Sequence, residues 1–122
     1  MRNTTIIFIL MTYFNAYSQN WIQSQKIVSS DRESDDGFGN SIAISNNFLI
    51  VAAENEDFYL SPSDDAGAVY LFAYDSVADS WKEVQKVVPT LRKTRSYFGN
   101  SVAISGKTTL IGSDEYSLDS IG

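Results

Sequence analysis

The sequence predicts an all-β protein built from repeated four-stranded antiparallel units, and two observations support this prediction. First, the chain uses one octet twice: residues 38–45 read FGNSIAIS and residues 98–105 read FGNSVAIS. Second, no stretch of ten or more residues beyond residue 18 has a helical hydrophobic period. Short apolar runs instead alternate with turn-forming residues, which is typical of strands.

The spacing of 60 residues that relates the two octets extends well beyond them. It holds without an insertion for pairs on both sides of the octet: Trp21 and Trp81, Gln25 and Gln85, Lys26 and Lys86, Val28 and Val88, Arg32 and Arg92, Ile50 and Leu110, Val51 and Ile111. A constant period of this size indicates a repeat architecture in which each repeat is one supersecondary unit.

The apolar runs define seven predicted strands, at residues 21–28, 40–45, 48–53, 67–74, 81–88, 100–105 and 108–113. Asn46-Asn47 and Gly106-Lys107 are predicted to be tight turns, because Asn and Gly tolerate a positive φ. The run at 48–53 is almost continuously apolar, which predicts a strand covered on both faces. Residues 39–88 thus form one complete unit, followed by half of a second and preceded by a lone strand.

Four-stranded sheets repeated in tandem favour a β-propeller, in which the blades close into a ring and leave few edges exposed. A propeller needs about 4–8 blades, and the sequence supplies about one and a half. We therefore expect a fragment of a longer ring, with the missing blades supplied by the same chain or by oligomerisation. The strand at 21–28 is expected to complete the final blade.

The first 18 residues are predicted to be a signal peptide. Arg2 gives a short positive segment, an apolar stretch follows from Ile6 to Phe14, and Ala16-Tyr17-Ser18 places small residues before a cleavage point. The apolar stretch is far shorter than the roughly 20 residues of a membrane span. A buried first strand is the alternative. The prediction places the protein outside the cell, secreted or at the surface, with residues 19–122 forming the repeats.

Composition excludes several classes of function. The net charge of −6 and the pI near 4.4 argue against nucleic-acid binding, since phosphates would be repelled. The chain has neither cysteine nor histidine, so it can form no disulfide and no thiolate zinc site, and it lacks the commonest general base. An enzyme would have to use carboxylates, Lys, Tyr or Ser.

The ordered motifs resemble the FG-GAP repeat, which builds the seven-bladed propeller of integrin alpha chains and occurs in secreted bacterial proteins. The resemblance covers residues 21–122 and includes four sub-motifs: FGNSIAIS, FLIVAA, GAVYLF and WxxxQK. It implies a non-catalytic binding or adhesion module. The family's Gly-Ala-Pro appears here as Ala52-Ala53-Glu54 and Gly112-Ser113-Asp114, without the proline.

The resemblance also implies a calcium loop between the first two strands of a unit, and the sequence lacks it. Asn46-Asn47 and Gly106-Lys107 occupy that place, whereas calcium needs six to eight oxygen ligands. Residues 31–37 loosely resemble a calcium loop but have no distal bidentate Glu. No cofactor is therefore predicted.

The aromatic and glycine positions of the motif are predicted to be structural. The Phe residues fill space between units, the Gly residues allow close backbone approach where the inner strand begins, and the Trp residues pack between units rather than bind sugar. These residues are Phe38, Gly39, Phe98, Gly99, Trp21 and Trp81.

Charged loops are the candidate functional residues, because long loops on a rigid scaffold often carry binding groups. In an antiparallel blade, the loop before the first strand and the loop after the second emerge on the same side. The candidates are Asp31, Glu33, Asp35, Asp36, Glu54, Glu56, Asp57, Asp64, Asp65, Arg92, Lys93 and Arg95.

Two functions remain open from the sequence. The first is a non-catalytic module that binds an extracellular protein or glycan. The second is an enzyme with paired carboxylates, as in glycoside hydrolysis. The first is preferred, because every acidic cluster lies in a polar loop rather than at an apolar strand end, where burial would shift a pKa.

Overall fold

The computed structural model describes residues 20–57 and 65–114, and within them the protein is all-β. The predicted signal peptide lies outside the described residues. Six strands follow the chain: β1 (Phe38–Ser45), β2 (Phe48–Ala53), β3 (Ala68–Asp75), β4 (Ser80–Val87), β5 (Val102–Ser105) and β6 (Thr108–Ile111). No helix in this part of the chain is long and apolar enough to cross a membrane.

The strands form one complete antiparallel sheet and a separate hairpin. The sheet has the order β1-β2-β3-β4, and β5 pairs with β6 in the second. We call the sheet unit 1 and the hairpin unit 2. Their registers agree with the repeat, because Ile42 lies opposite Val51 in unit 1 and Val102 lies opposite Ile111 in unit 2. This is the architecture predicted for one complete propeller blade and half of the next.

The backbone repeats with the same spacing as the sequence. Positive φ angles recur at four pairs of positions 60 residues apart: Asp35 (72°) and Arg95 (57°), Gly37 (69°) and Tyr97 (44°), Gly39 (95°) and Gly99 (98°), Asn46 (52°) and Gly106 (58°). The turn before each inner strand repeats as well, because the Asn40 amide donates to the Gly37 carbonyl at 3.0 Å and the Asn100 amide to Tyr97 at 2.9 Å. Left-handed residues are uncommon outside glycine, so their recurrence indicates that each repeat folds in the same way.

The two central strands of unit 1 are buried on both faces. One face carries Val51, Ala53, Ala68, Tyr70 and Phe72, and the other carries Ile50, Ala52 and Val69. Alternation along β3 sends neighbouring side chains to opposite faces. We call the first the front face and the second the back face. The run predicted to be covered on both sides therefore lies at the centre of the blade.

Unit 2 packs on the back face of unit 1. Phe98, Val102 and Ile104 contact the cluster around Ile50 and Val69. Two hydrogen bonds join the inner strands, because the Val102 amide donates to Ser41 Oγ at 3.1 Å and the Gly106 amide to Ser45 Oγ at 3.0 Å. The two units therefore pack face to face as consecutive blades.

Residues 21–28, which were predicted to be a strand, form none. The outward-facing backbone groups of Trp81 on β4 are bonded by a side chain instead: Gln25 Oε1 accepts from the Trp81 amide at 2.8 Å, and Gln25 Nε2 donates to its carbonyl at 2.9 Å. A strand needs backbone hydrogen bonds to a neighbouring strand, and the composition of residues 21–28 alone cannot provide that neighbour. Ile27 nevertheless packs on the front face. Trp21 is 95% exposed, so the packing predicted for it is not formed by the described residues and stays a prediction.

Candidate binding face at the loop edge

Three loops come together at one end of unit 1, and we call this end the loop face: residues 29–37, the described parts of the β2–β3 loop (54–57 and 65–67), and residues 88–97. Backbone hydrogen bonds join the loops. The Asn55 amide donates to the Asp36 carbonyl at 3.1 Å, and the Gly67 amide to Glu56 at 2.9 Å. The loop before unit 2 joins them, since the Tyr97 amide donates to the Asp65 carbonyl at 3.1 Å. The sequence predicted this convergence from the antiparallel order of the strands.

A charged network lies beneath the loop face. Lys86 Nζ on β4 contacts Asp31 Oδ2 at 2.6 Å and Glu56 Oε1 at 2.5 Å. Arg92, from the loop that leads into unit 2, pairs with the second oxygen of Glu56. The Tyr70 hydroxyl donates to Asp31 Oδ1 at 2.8 Å. The Glu56 side chain is 11% exposed and that of Arg92 is 17% exposed, so this is a partly buried network rather than a surface pair.

The network keeps Asp31 and Lys86 ionised. Burial raises the pKa of Asp31, but hydrogen bonds from Lys86 and Tyr70 outweigh burial and hold that pKa below its ordinary 3.8. Burial lowers the pKa of Lys86, and its hydrogen bonds to Asp31 and Glu56 outweigh burial, so the pKa is raised. Burial and the bond to Asp31 raise the pKa of the Tyr70 hydroxyl, which stays protonated. The geometry is suited to joining loops.

Sequence reasoning placed Asp31, Glu56 and Arg92 on one face but missed their partners. Lys86 belongs to the WxxxQK motif and Tyr70 to GAVYLF, and the sequence pattern predicts only that both lie on strands. Lys86 Nζ also lies 5.4 Å from the centre of the Tyr70 ring. The signal that could have found Lys86 was a cation on an outer strand, near the end that meets the acidic loops.

Two further acids organise the loops from within. Asp36 is 7% exposed, and its carboxylate accepts the Glu33 amide at 2.9 Å. Asp57 Oδ1 accepts the Asp65 amide at 2.9 Å. These bonds are local side-chain caps of backbone turns. Asp64 lies outside the described residues.

The remaining candidates point to solvent. Glu33, Asp35, Lys93 and Arg95 are exposed. Glu54 is half-buried and lines a cleft of about 250 Å³ between the units, together with Tyr97, Asn100 and Asp114. Since Glu54 and Asp114 are 60 residues apart, the cleft brings together two equivalent carboxylates. The predicted set therefore divides into an internal charged network and an exposed rim.

The described residues do not fit a calcium ion. Among them, no group of three or more acidic, His or Cys side chains is arranged to hold a metal. The turn where the resemblance implies a calcium loop offers no carboxylate, and the Asn47 carbonyl accepts the Tyr74 amide at 2.9 Å. In residues 31–37, Asp31 and Asp36 are engaged by Lys86 and by the Glu33 amide.

The four-stranded sheet and the repeated hairpin agree with a comparison of the sequence with protein-family models. The model of the FG-GAP repeat matches residues 21–72 and 81–120, which together are most of the chain. The chain belongs to the FG-GAP repeat family. Comparisons with curated proteins and with solved structures returned no match. FG-GAP repeats form propeller-type modules that typically occur in extracellular or cell-surface proteins.

The Phe-Gly pair of each FG-GAP repeat lies where the inner strand begins, and the pair of unit 2 lies at the boundary between the two blades. Phe38 packs edge-on against Tyr70 and Phe72 of the front face, with ring centres 5.5 and 6.3 Å away. Phe98 packs against the back face of unit 1. A Cβ on Gly99 would lie 2.9 Å from Ala52 Cβ and from Val69 Cγ2. A side chain would thus not fit where the FG-GAP inner strand meets the preceding blade.

Proposed function

We propose that the protein contributes a non-catalytic binding module outside the cell, and that its exposed rim contacts an extracellular protein. The observation that carries the proposal is the division of the loop charges: the internal network fixes the loops, and Glu33, Asp35, Lys93 and Arg95 project from them. A rigid scaffold that presents polar loops is a common binding arrangement. Secretion through the predicted signal peptide is part of this proposal.

Two features favour binding over catalysis and a protein over a small molecule. Glu56 is the most buried acid of the network, and its two oxygens contact Lys86 and Arg92, which suits a structural role better than general acid catalysis. The cleft of about 250 Å³ at Glu54 is smaller than the roughly 300–1,000 Å³ of typical small-molecule sites. A shallow cleft with a charged rim suits side chains from a protein surface.

We expect Asp35→Asn and Glu33→Gln each to weaken binding to such a partner by about 2–5-fold, the effect of an exposed interfacial charge. Asn is chosen because it tolerates the φ of 72° at position 35. The measurement is surface plasmon resonance against purified extracellular proteins that the wild-type protein retains, at two salt concentrations.

Asp79→Asn is the matched control, because Asp79 lies in the β3–β4 turn at the other end of the sheet. Loss of binding equal to that of Asp35→Asn would place the contact elsewhere. If the wild-type protein bound to a glycan array but to none of the extracellular proteins, that result would contradict the choice of a protein as the partner.

A further inference from the structure

Among the described residues, two apolar surfaces are open, and the repeat relates each of them to a surface that is covered. Ile42 and Ile44 on the front of β1 are 64% and 63% exposed, whereas their equivalents in unit 2, Val102 and Ile104, pack against unit 1. Leu110 on the back of β6 is 72% exposed, whereas its equivalent Ile50 is 1% exposed. We call the surface at Ile42 and Ile44 the front patch and the surface at Leu110 the back patch.

The motif glycines show the same asymmetry. Gly39 and Gly99 have nearly equal φ angles, 95° and 98°. The Cβ position of Gly99 is filled by Ala52 and Val69 of the preceding unit, whereas no atom of the described residues lies within 4 Å of the Cβ position of Gly39. The backbone of the front patch is therefore already shaped to accept the back of another unit.

Polar groups on the two patches match in the same way. Ser41 and Ser45 accept the amides of Val102 and Gly106 across the interface between the units. Their equivalents on the back patch, Ser101 and Ser105, are exposed. Ile42 and Asn46 are the repeat equivalents of Val102 and Gly106. Ser101 and Ser105 are therefore placed to accept the amides of Ile42 and Asn46 in the same kind of contact.

The extents of the two patches also match. Residues 25–30 cover the outer part of the front face, where Ile27 packs, so the open part is the inner strand. Unit 2 consists, in the described residues, of the two inner strands. Its hairpin carries a cleft of about 340 Å³ lined by residues 101–103 and 110–112, which includes Leu110.

We propose that a second copy of this chain covers the front patch with its back patch. The contact continues the interface already formed between units 1 and 2, with Ile42 and Ile44 taking the places of Val102 and Ile104. Because the two patches differ, the association is heterologous, or head-to-tail, and it forms a ring if the rotation closes. Residues 20–30 of one copy then lie beside the hairpin of the next, so that a blade is shared between chains.

The test uses the full 122-residue chain in sedimentation velocity over a range of concentrations. The wild-type protein is expected to form oligomers. Ile42→Asp and Leu110→Asp are each expected to weaken self-association by ~10-fold or more, because each buries an unpaired carboxylate in the interface. Val77→Asp is the matched control, since Val77 is 96% exposed in the β3–β4 turn and outside both patches.

Mixing the two variants makes the test specific for a head-to-tail contact. Ile42→Asp keeps an intact back patch and Leu110→Asp keeps an intact front patch, so an equimolar mixture is expected to form a heterodimer and nothing larger. Circular dichroism checks that each variant is folded, and Ile42→Ser and Leu110→Ser replace any that is not. A wild-type protein that is monomeric at every concentration, or a mixture that stays monomeric, would overturn the proposal. Further repeats in a longer polypeptide would then be the occupants of the two patches.

Discussion

Glu56→Gln is expected to lower the free energy of unfolding by about 2–4 kcal/mol. The substitution removes the carboxylate that both Lys86 and Arg92 contact. Lys86 keeps its contact with Asp31, but the positive charges of this partly buried network are then less fully compensated, which is destabilising. The value lies towards the lower end of the range for buried pairs because the Lys86 side chain is 27% exposed. Urea unfolding followed by far-UV circular dichroism measures the change.

Glu54→Gln is the matched control for Glu56→Gln. It removes a carboxylate two residues away in the same loop, from a half-buried side chain that lines the open cleft. We expect a change within about 0.5 kcal/mol, as for most surface substitutions. Equal effects of the two variants would contradict a special role of the network in joining the loops of the two units.

Gly99→Ala is expected to destabilise the protein by about 2–6 kcal/mol, through two separable costs. The φ of 98° is strained for any residue with a side chain, at about 1–3 kcal/mol. Overpacking against Ala52 and Val69 adds about 1–3 kcal/mol. Thermal or urea unfolding of the same full chain gives the sum.

Gly39→Ala separates the two costs, because its φ is 95° and its Cβ position is open. We expect this variant to show the backbone cost alone, about 1–3 kcal/mol. The difference between the two variants then measures packing between units 1 and 2. Equal destabilisation by both would mean that Gly99 is not held against unit 1.

Much of the fold could be predicted because a repeat tests each assignment twice. The predicted strand at 48–53 has the bounds observed for β2, and alternation in β3 sorted Tyr70 and Val69 onto opposite faces. The prediction failed at residues 21–28, whose composition is that of a strand. A strand also needs a backbone partner, and here the Gln25 side chain occupies the nearest edge.

The candidate site was predicted as a set of loops but not as a set of contacts. Order along an antiparallel blade is enough to bring Asp31, Glu56 and Arg92 to one side. Which charges neutralise one another depends on side-chain reach from the strands beneath, as with Lys86. Sequence patterns do not report that reach, so structural and exposed acids could not be told apart.

Two FG-GAP units pack face to face at the Phe-Gly motif of unit 2, and a nuclear Overhauser effect at Gly99 tests this packing most directly. One Hα of Gly99 points where a Cβ would meet Ala52 and Val69. The structure predicts strong cross-peaks from this proton to the Ala52 methyl and to a Val69 methyl. Assigned, sharp signals for these three residues with no cross-peak between them would contradict the packing of the two units.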